Sequence, residues 1–379
     1  MNDTLNETYT NVTLRPGPNV TYCDLKDVRK AFAVYYPYLS LVICIFGSVT
    51  NVLNICVLTS KQMRCPTNLI LTALAFANLL VMVEYIPFVF LYNENKAFAS
   101  HFTYSLAVFI SFHAVFTQAF HFISCCLTVI LAIWQYIAVK FPQNNNKWCS
   151  NNRTKITILL TYVLCSIVCV PLNLSLTISG KAVNVDDNGK LSKNKSMPNV
   201  TIYVTRYVDD NYQHVSSYVY AIAIKLIPSV LLTVLTTLLI IELLHAKERR
   251  KNLMNPKKDE NAKMRKPSQR FLDKEKQTDR TTRMLVAVLL LFLMVEFPQA
   301  IFGMFNVIIG QTFELQCYQP LGDIVDVLTL TNFSINFILY CIMSKKFRMV
   351  FKESFFPYLP CSNISKENWI SLNTIQTYV

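Results

Sequence analysis

Apolar residues in this chain gather into seven long runs separated by polar stretches: Tyr35–Leu58, Leu69–Tyr92, Leu106–Val139, Ile156–Ile178, Val219–Leu244, Met284–Ile309 and Leu321–Met343. Each reaches the ~20 residues that a helix needs to cross the hydrocarbon of a bilayer. The strict alternation of membrane strands is missing from them. A helix satisfies its own backbone hydrogen bonds, which lipid cannot do. The pattern therefore predicts an all-α membrane protein, a seven-transmembrane helix bundle. A short amphipathic eighth helix is expected over Lys345–Phe356, with Phe347, Val350, Phe351 and Phe355 on one side. The chain divides into an N-terminal arm (1–34), the membrane domain (35–343, with a long connection at 245–283) and a tail (344–379).

Composition agrees. Apolar residues make up 53% of the chain, charged residues only 16%, and mean hydropathy is +0.33. These values override the two or three soluble domains that length alone suggests. The first 30 residues are polar and lack the apolar core of a cleaved signal peptide, so the first run is expected to act as the insertion signal. Most of the 36 lysines and arginines lie after runs one, three and five and in the tail. That bias predicts a multi-pass plasma-membrane protein with its N-terminus outside and its C-terminus inside. The net charge of +13 then faces anionic lipid and does not call for nucleic acid. Lys247–Lys251 and Arg280–Arg283 extend helices five and six, where they can hold membrane lipid and touch a cytoplasmic partner.

Sequons agree with this orientation. Asn2, Asn6, Asn11 and Asn19 mark a glycosylated arm, and Asn194 and Asn199 lie in the connection after run four. Of the 12 cysteines, only Cys23 and Cys317 fall clearly on the oxidising side. One pairing is available to them, a bridge from the arm to the loop before helix seven; the alternative is two free thiols. Cys65, Cys149 and Cys361 face the reducing side, and the others pack as small hydrophobes. Cys361 is a palmitoylation candidate, although a plain cysteine reads almost as well. The ending Thr377-Tyr378-Val379 could bind a PDZ protein, but so short a match also arises by chance.

Ionisable groups inside the runs carry the candidate chemistry, since a charge at the bilayer centre costs ~2.5–3.5 kcal/mol unless it faces a cavity or a partner. They are Glu84, Lys225, Glu296, Asp323 and Asp326, joined by His113, Gln118 and His121 in run three. Asp323 and Asp326 are three apart and share a helix face. With Glu84 they predict an acidic vestibule near the outer mouth of the bundle, suited to a cationic ligand. Arginine fits best, because its planar fork pairs with carboxylates. The competing reading is a set of structural caps, which weighs most for Asp323 near a helix start. Nothing points to an enzyme, a cofactor or a metal. There is no Cys/His metal spacing, phosphate loop or nucleophile elbow. Gly322-Asp323 resembles half of an intramembrane aspartyl-protease motif whose other half is missing. A transporter would need inverted repeats or broken helix pairs, and none is evident.

Several strings carry a resemblance. Run one has Gly47-Ser-Val-Thr-Asn51, and run two has Leu74-Ala75-Phe76-Ala77-Asn78-Leu79-Leu80. Pro228 and Pro298 interrupt runs five and six. The last run closes with Asn336-Phe337-Ile338-Leu339-Tyr340, followed by Phe347-Arg348-Met349-Val350-Phe351. Over Tyr35–Phe356 the chain resembles the rhodopsin-like (class A) G-protein-coupled receptors. Four further strings begin at Cys65-Pro-Thr-Asn, Lys225-Leu-Ile-Pro-Ser, Glu296-Phe-Pro-Gln and Leu321-Gly-Asp-Ile-Val-Asp, and a fifth at Asn332-Phe-Ser-Ile-Asn. Together they are similar to invertebrate myosuppressin and FMRFamide-like neuropeptide receptors.

That resemblance implies a receptor for short amidated neuropeptides ending in Arg-Phe-amide. It also implies a heterotrimeric G protein, of the Gi/o class, as partner. Asp326 and Glu84 are the first choices to hold the arginine, and Asp323 is a weaker one. The departures are specific. Asn78 replaces the family's sodium-binding aspartate, which puts sodium regulation in doubt. Trp134-Gln135-Tyr136 replaces the Asp-Arg-Tyr switch, which leaves a decoy or poorly coupled receptor as an alternative. Phe337 replaces the proline between Asn336 and Tyr340, and the helix-three cysteine is missing. Val295-Glu296-Phe297-Pro298 replaces Cys-Trp-x-Pro. Glu296 is then expected on the pocket floor, paired with Lys225 and beside His121, as a switch or as a static salt bridge.

Overall fold

All seven runs fold into helices long and apolar enough to cross a membrane. The computed structural model describes residues 21–93, 103–186, 191–192, 199–254 and 269–355. Helix α1 spans Lys26–Leu58, α2 Pro66–Asn93 and α3 Tyr104–Lys140. Helix α4 spans Asn151–Val168 and continues as Val170–Leu174. The composite α5 runs through Asp210–Tyr218, a π-helical Val219–Leu226 and Ile227–Met254. Helix α6 spans Gln269–Ile309, α7 Gln319–Met343 and α8 Lys345–Phe355. Side chains set several of the boundaries. Thr103 Oγ1 accepts from the Leu106 amide at 3.2 Å and starts α3, and Asp209 accepts from the Tyr212 amide at 2.9 Å and starts α5. Ser344 Oγ accepts from the Phe347 amide at 3.1 Å and starts α8.

In lipid the helices gain nothing from leaving water, so close packing and interhelical hydrogen bonds hold them together. Both are present. A Cβ added at Gly47 would stand 2.8 Å from Met82, so the glycine lets α1 approach α2. Asn51 Nδ2 donates across α1–α7 to the Phe333 carbonyl at 3.1 Å. Tyr162 donates from α4 to the Ala73 carbonyl on α2 at 2.8 Å, and Ser124 on α3 donates to Asn78 on α2. The core between them is filled by Leu71, Leu74, Ile123, Leu127, Leu232 and Leu289. Val42, Ile45, Leu159, Leu164 and Ile167 point outward and exposed, as lipid-facing residues do.

At one end α8 folds back under the bundle. Phe347 and Val350 are buried, and the Phe337 ring meets Phe347 at 5.8 Å and Phe351 at 5.5 Å. Arg348 donates to the Cys341 and Ile342 carbonyls at 2.8 Å, satisfying groups that the end of α7 leaves open.

The opposite end departs from the expectation. Run four does not remain helical to Ile178. The helix stops at Leu174, and Leu176–Val185 is strand β1 of a three-stranded sheet, with β2 at Leu191–Ser192 and β3 at Asn199–Tyr207. The strand order is β2-β1-β3, antiparallel, with Leu176 opposite Tyr207 and Asn184 opposite Asn199. Hydropathy absorbed the first strand residues because they are apolar. What makes them a strand is a partner more than twenty residues onward, invisible to a local window. Thr205 hangs β3 on α3 through the Ala107 carbonyl (3.1 Å) and Ser111 (2.8 Å). Asn2, Asn6, Asn11, Asn19, Asn194, Cys361 and the C-terminal Thr377-Tyr378-Val379 lie outside the described residues.

Candidate functional site

Between the helices, toward the hairpin end, is a cavity of about 220 Å³ lined from α2, α3, α5, α6 and α7. Its floor is ionic. Lys225 Nζ lies 3.1 Å from Glu296 Oε2, 2.8 Å from His121 Nε2 and 2.6 Å from Gln299 Oε1. His121 Nε2 is 3.1 Å from the same Glu296 oxygen. One imidazole nitrogen cannot accept from the ammonium and donate to the carboxylate at once, so the three groups hold fewer hydrogen bonds than they have contacts. Gln299 continues the chain to α7 by donating to Thr329 Oγ1 at 3.0 Å. A single polar network thus joins α3, α5, α6 and α7. The expected Glu296, Lys225 and His121 trio is brought together.

The local fold puts Lys225 there. Pro228 has no amide hydrogen to return to the turn before it. The helix widens into the π segment over Val219–Leu226, where the Ile227 amide reaches back five residues to the Ile222 carbonyl. Lys225 is buried within this segment. His121, Cys125 and Glu296 offer ligand atoms within 4.8 Å of one another, the spacing of a metal site. The Lys225 ammonium already contacts His121 and Glu296, so the protein supplies its own cation.

The wall holds the second charge. Asp326 on α7 is exposed to the cavity although it lies inside the bundle. The Tyr85 hydroxyl donates to its Oδ2 at 3.1 Å and that of Tyr36 at 3.4 Å, and the two hydroxyls also touch. Among the described residues no lysine, arginine or histidine forms an ion pair with it.

The other two expected carboxylates are not on the wall. Glu84 is 10% exposed, and both its oxygens are engaged by His113 Nδ1, at 3.0 and 2.8 Å. The imidazole is stacked on Phe88 with ring centres 3.5 Å apart. It is His113, not Glu84, that faces the cavity. Asp323 also stands off the wall and has interactions of its own. Of the three carboxylates expected in an acidic vestibule, Asp326 lines the cavity, Glu84 is paired with His113, and Asp323 is half-exposed outside the lining. Helix α3 supplies a partner that α2 read alone could not reveal. Gln118 lines the wall.

Sequence reasoning passed over Tyr36, Tyr85, Tyr220, Gln299, Tyr318 and Thr329, because none of them carries a charge and Tyr318 lies outside the apolar runs. Gln299 had one available signal, its place directly after Pro298 in the Glu296 string. The Tyr318 hydroxyl donates to that of Tyr220 at 2.9 Å, tying the start of α7 to α5 across the cavity. Cys23 and Cys317 are joined by a disulfide with Cα atoms 5.4 Å apart, and the Tyr22 amide donates to Gln316 Oε1 at 2.8 Å beside it.

The far end of the bundle holds the remaining expected switch residues. Gln135 is buried and donates from Nε2 to Thr67 Oγ1 on α2 at 3.1 Å. The Tyr136 hydroxyl accepts from Lys140 at 2.7 Å, and Lys140 pairs with Glu242 of α5 at 3.0 Å. Asn78, Asn336 and Tyr340 are buried in the interior, Tyr340 against Phe347 at 5.5 Å.

Comparison with known proteins adds an independent finding. Residues 38–357 match the model of a family described as serpentine type 7TM GPCR chemoreceptor Srw. The G-protein coupled receptor dmsr-1 of Caenorhabditis elegans is 27% identical over 377 residues, covering 90% of this chain and 72% of its own length. The sex peptide receptor of Drosophila melanogaster is 26% identical over 368 residues, 95% of this chain and 81% of its own. The human thyrotropin-releasing hormone receptor is 25% identical over 324 residues, 83% and 76% respectively.

Proposed function

This chain belongs to the Srw family of serpentine seven-transmembrane G-protein-coupled receptors, and from that premise we propose that it is a plasma-membrane receptor for a short amidated peptide with an arginine beside its end. The observation that carries the reading is Asp326. Its carboxylate is open to the cavity, oriented by two tyrosines and without a basic partner among the described residues. A guanidinium completes it with paired hydrogen bonds in a site shielded from water.

Size and charge narrow the ligand. A drug-sized ligand needs roughly 300–1,000 Å³. A cavity of about 220 Å³ takes the end of a peptide and leaves the rest to the hairpin. Lys225 is committed to Glu296, so a free terminal carboxylate would find no uncommitted cation on the floor among the described residues. A neutral, amidated end suits that floor. Relatives with "sex peptide" and "hormone" in their names support a peptide, and the strings similar to rhodopsin-like myosuppressin and FMRFamide-like receptors support an Arg-Phe-amide ending. The N-terminal side, with the hairpin, faces outward in this reading.

The response follows from the floor. A ligand that reaches the Lys225–Glu296–His121–Gln299 network redistributes its hydrogen bonds, and α6 swings at Pro298. The far ends of α3, α5 and α6 then open for a heterotrimeric G protein, with Gi/o the class the resemblance suggests. A second reading, a binding receptor that couples poorly, is favoured by one observation: Gln135 is tied sideways to Thr67 and does not reach toward a partner.

The test is G-protein activation in cells by a panel of Arg-Phe-amide peptides, using wild type, Asp326→Asn and Gln135→Arg. Nanomolar activation of wild type, lost in Asp326→Asn, is expected. A response in Gln135→Arg alone, with equal binding, establishes the poorly coupled receptor. Neither binding nor response in wild type refutes the ligand class.

A further inference from the structure

Gln118 stands on the cavity wall, one turn before His121 on α3. Its Nε2 is buried and has no hydrogen-bond partner among the described residues. Its neighbours on the wall are satisfied. Thr117 donates to the His113 carbonyl at 2.6 Å, His113 holds Glu84, and Gln299 uses both ends of its amide. A buried amide donor without an acceptor is a standing cost that native interiors rarely keep. The terminal torsion of glutamine is broad and two-fold. The amide can therefore turn toward the cavity, where an acceptor brought by a ligand removes the cost.

The chemistry of that acceptor follows from the surroundings. A carboxamide pairs with a carboxamide through two opposed hydrogen bonds, each N–H donating to the other oxygen. A carboxylate has acceptors only, so one of those bonds becomes a contact between two oxygens. Lys225, the nearby cation, already has Glu296, His121 and Gln299 around it and does not compensate. We infer that Gln118 is a specificity-determining residue, pairing with the terminal carboxamide of the ligand and rejecting the free acid. The inference rests on the proposed cationic, amidated peptide end, whose arginine occupies Asp326.

The test is competition binding on membranes holding the full chain. The probes are a tetrapeptide ending in Arg-Phe-amide and the same peptide as a free acid. Wild type should prefer the amide by about 100-fold. Gln118→Met, close in size but without an amide, should lower that ratio below about tenfold, mainly by weakening the amide peptide. Gln118→Lys supplies the missing cation and should move the preference toward the free acid. Asp326→Asn should weaken both peptides and leave their ratio unchanged. Surface labelling of each variant verifies that it folds. An unchanged amide-to-acid ratio in both Gln118 variants overturns the inference while the receptor reading stands. If wild type binds neither peptide, or Asp326→Asn weakens neither, the proposed ligand class itself fails and takes the inference with it.

Discussion

Removing one partner from the floor of the cavity should reveal whether its ion pair is a structural tie or a moving part. In Lys225→Met, the partners Glu296 keeps among the described residues are His121 and the distant Cys125 thiol, and its Oε1 is already buried without a partner among them. A buried charge stranded this way costs about 3–5 kcal/mol. In Glu296→Gln, Lys225 keeps Gln299 and His121 as acceptors, and the new amide oxygen can still accept. Its cost should be smaller, about 1–3 kcal/mol. In Lys225→Met combined with Glu296→Gln no charge is stranded, so most of the Lys225→Met penalty should vanish. The interaction between the two changes should therefore approach 2–3 kcal/mol in magnitude, the upper range of measured couplings. Thermal inactivation of ligand binding in detergent, measured for wild type, both single variants and the double, checks this. Additivity within about 0.5 kcal/mol would mean that the two groups do not interact and would refute the network. Signalling per receptor at the surface then separates the two roles. Glu296→Gln should alter signalling more than surface expression if the pair moves. An equal loss of folded protein and signal supports a static salt bridge.

Other predictions follow from contacts of different kinds. Asp326→Asn should weaken an Arg-bearing peptide by about 100-fold or more, since it strands a desolvated guanidinium, whereas Glu84→Gln should act less, through the freed His113; saturation binding compares them. Cys23→Ser or Cys317→Ser opens a clasp between residues 294 apart in sequence, and about 2–5 kcal/mol of stability should go with it, read as lower surface expression and loss of sensitivity to reductant. Thr205→Val removes both hydrogen bonds that hang β3 on α3, so amide exchange over 199–207 should quicken while that of α3 stays unchanged. Equal exchange in the two proteins would mean that the hairpin is held by other contacts.

The comparison of Glu84 with Asp326 marks the boundary between what this sequence determined and what tertiary structure decided. Immersion in lipid acts on each stretch of chain separately, so hydropathy alone determined seven helices, their order and an amphipathic eighth. Compartment chemistry left Cys23 and Cys317 one pairing. The cost of a membrane charge singled out Lys225, Glu296, Glu84, Asp323 and Asp326, and the resemblance put Lys225 and Glu296 on one floor. Which carboxylate stays open was beyond any local rule. It depends on His113 reaching Glu84 from α3, and on Tyr36 and Tyr85 turning hydroxyls to Asp326. The hairpin had the same status, since β1 becomes a strand only beside β3. So had Gln135, whose replacement of an arginine was plain but whose tie to Thr67 needed α2 beside α3. Spanning the membrane is decided by how much apolar surface each segment carries. Pairing is decided by the angle at which each side chain leaves its helix and by which helix stands opposite, and both exist only once the bundle has closed.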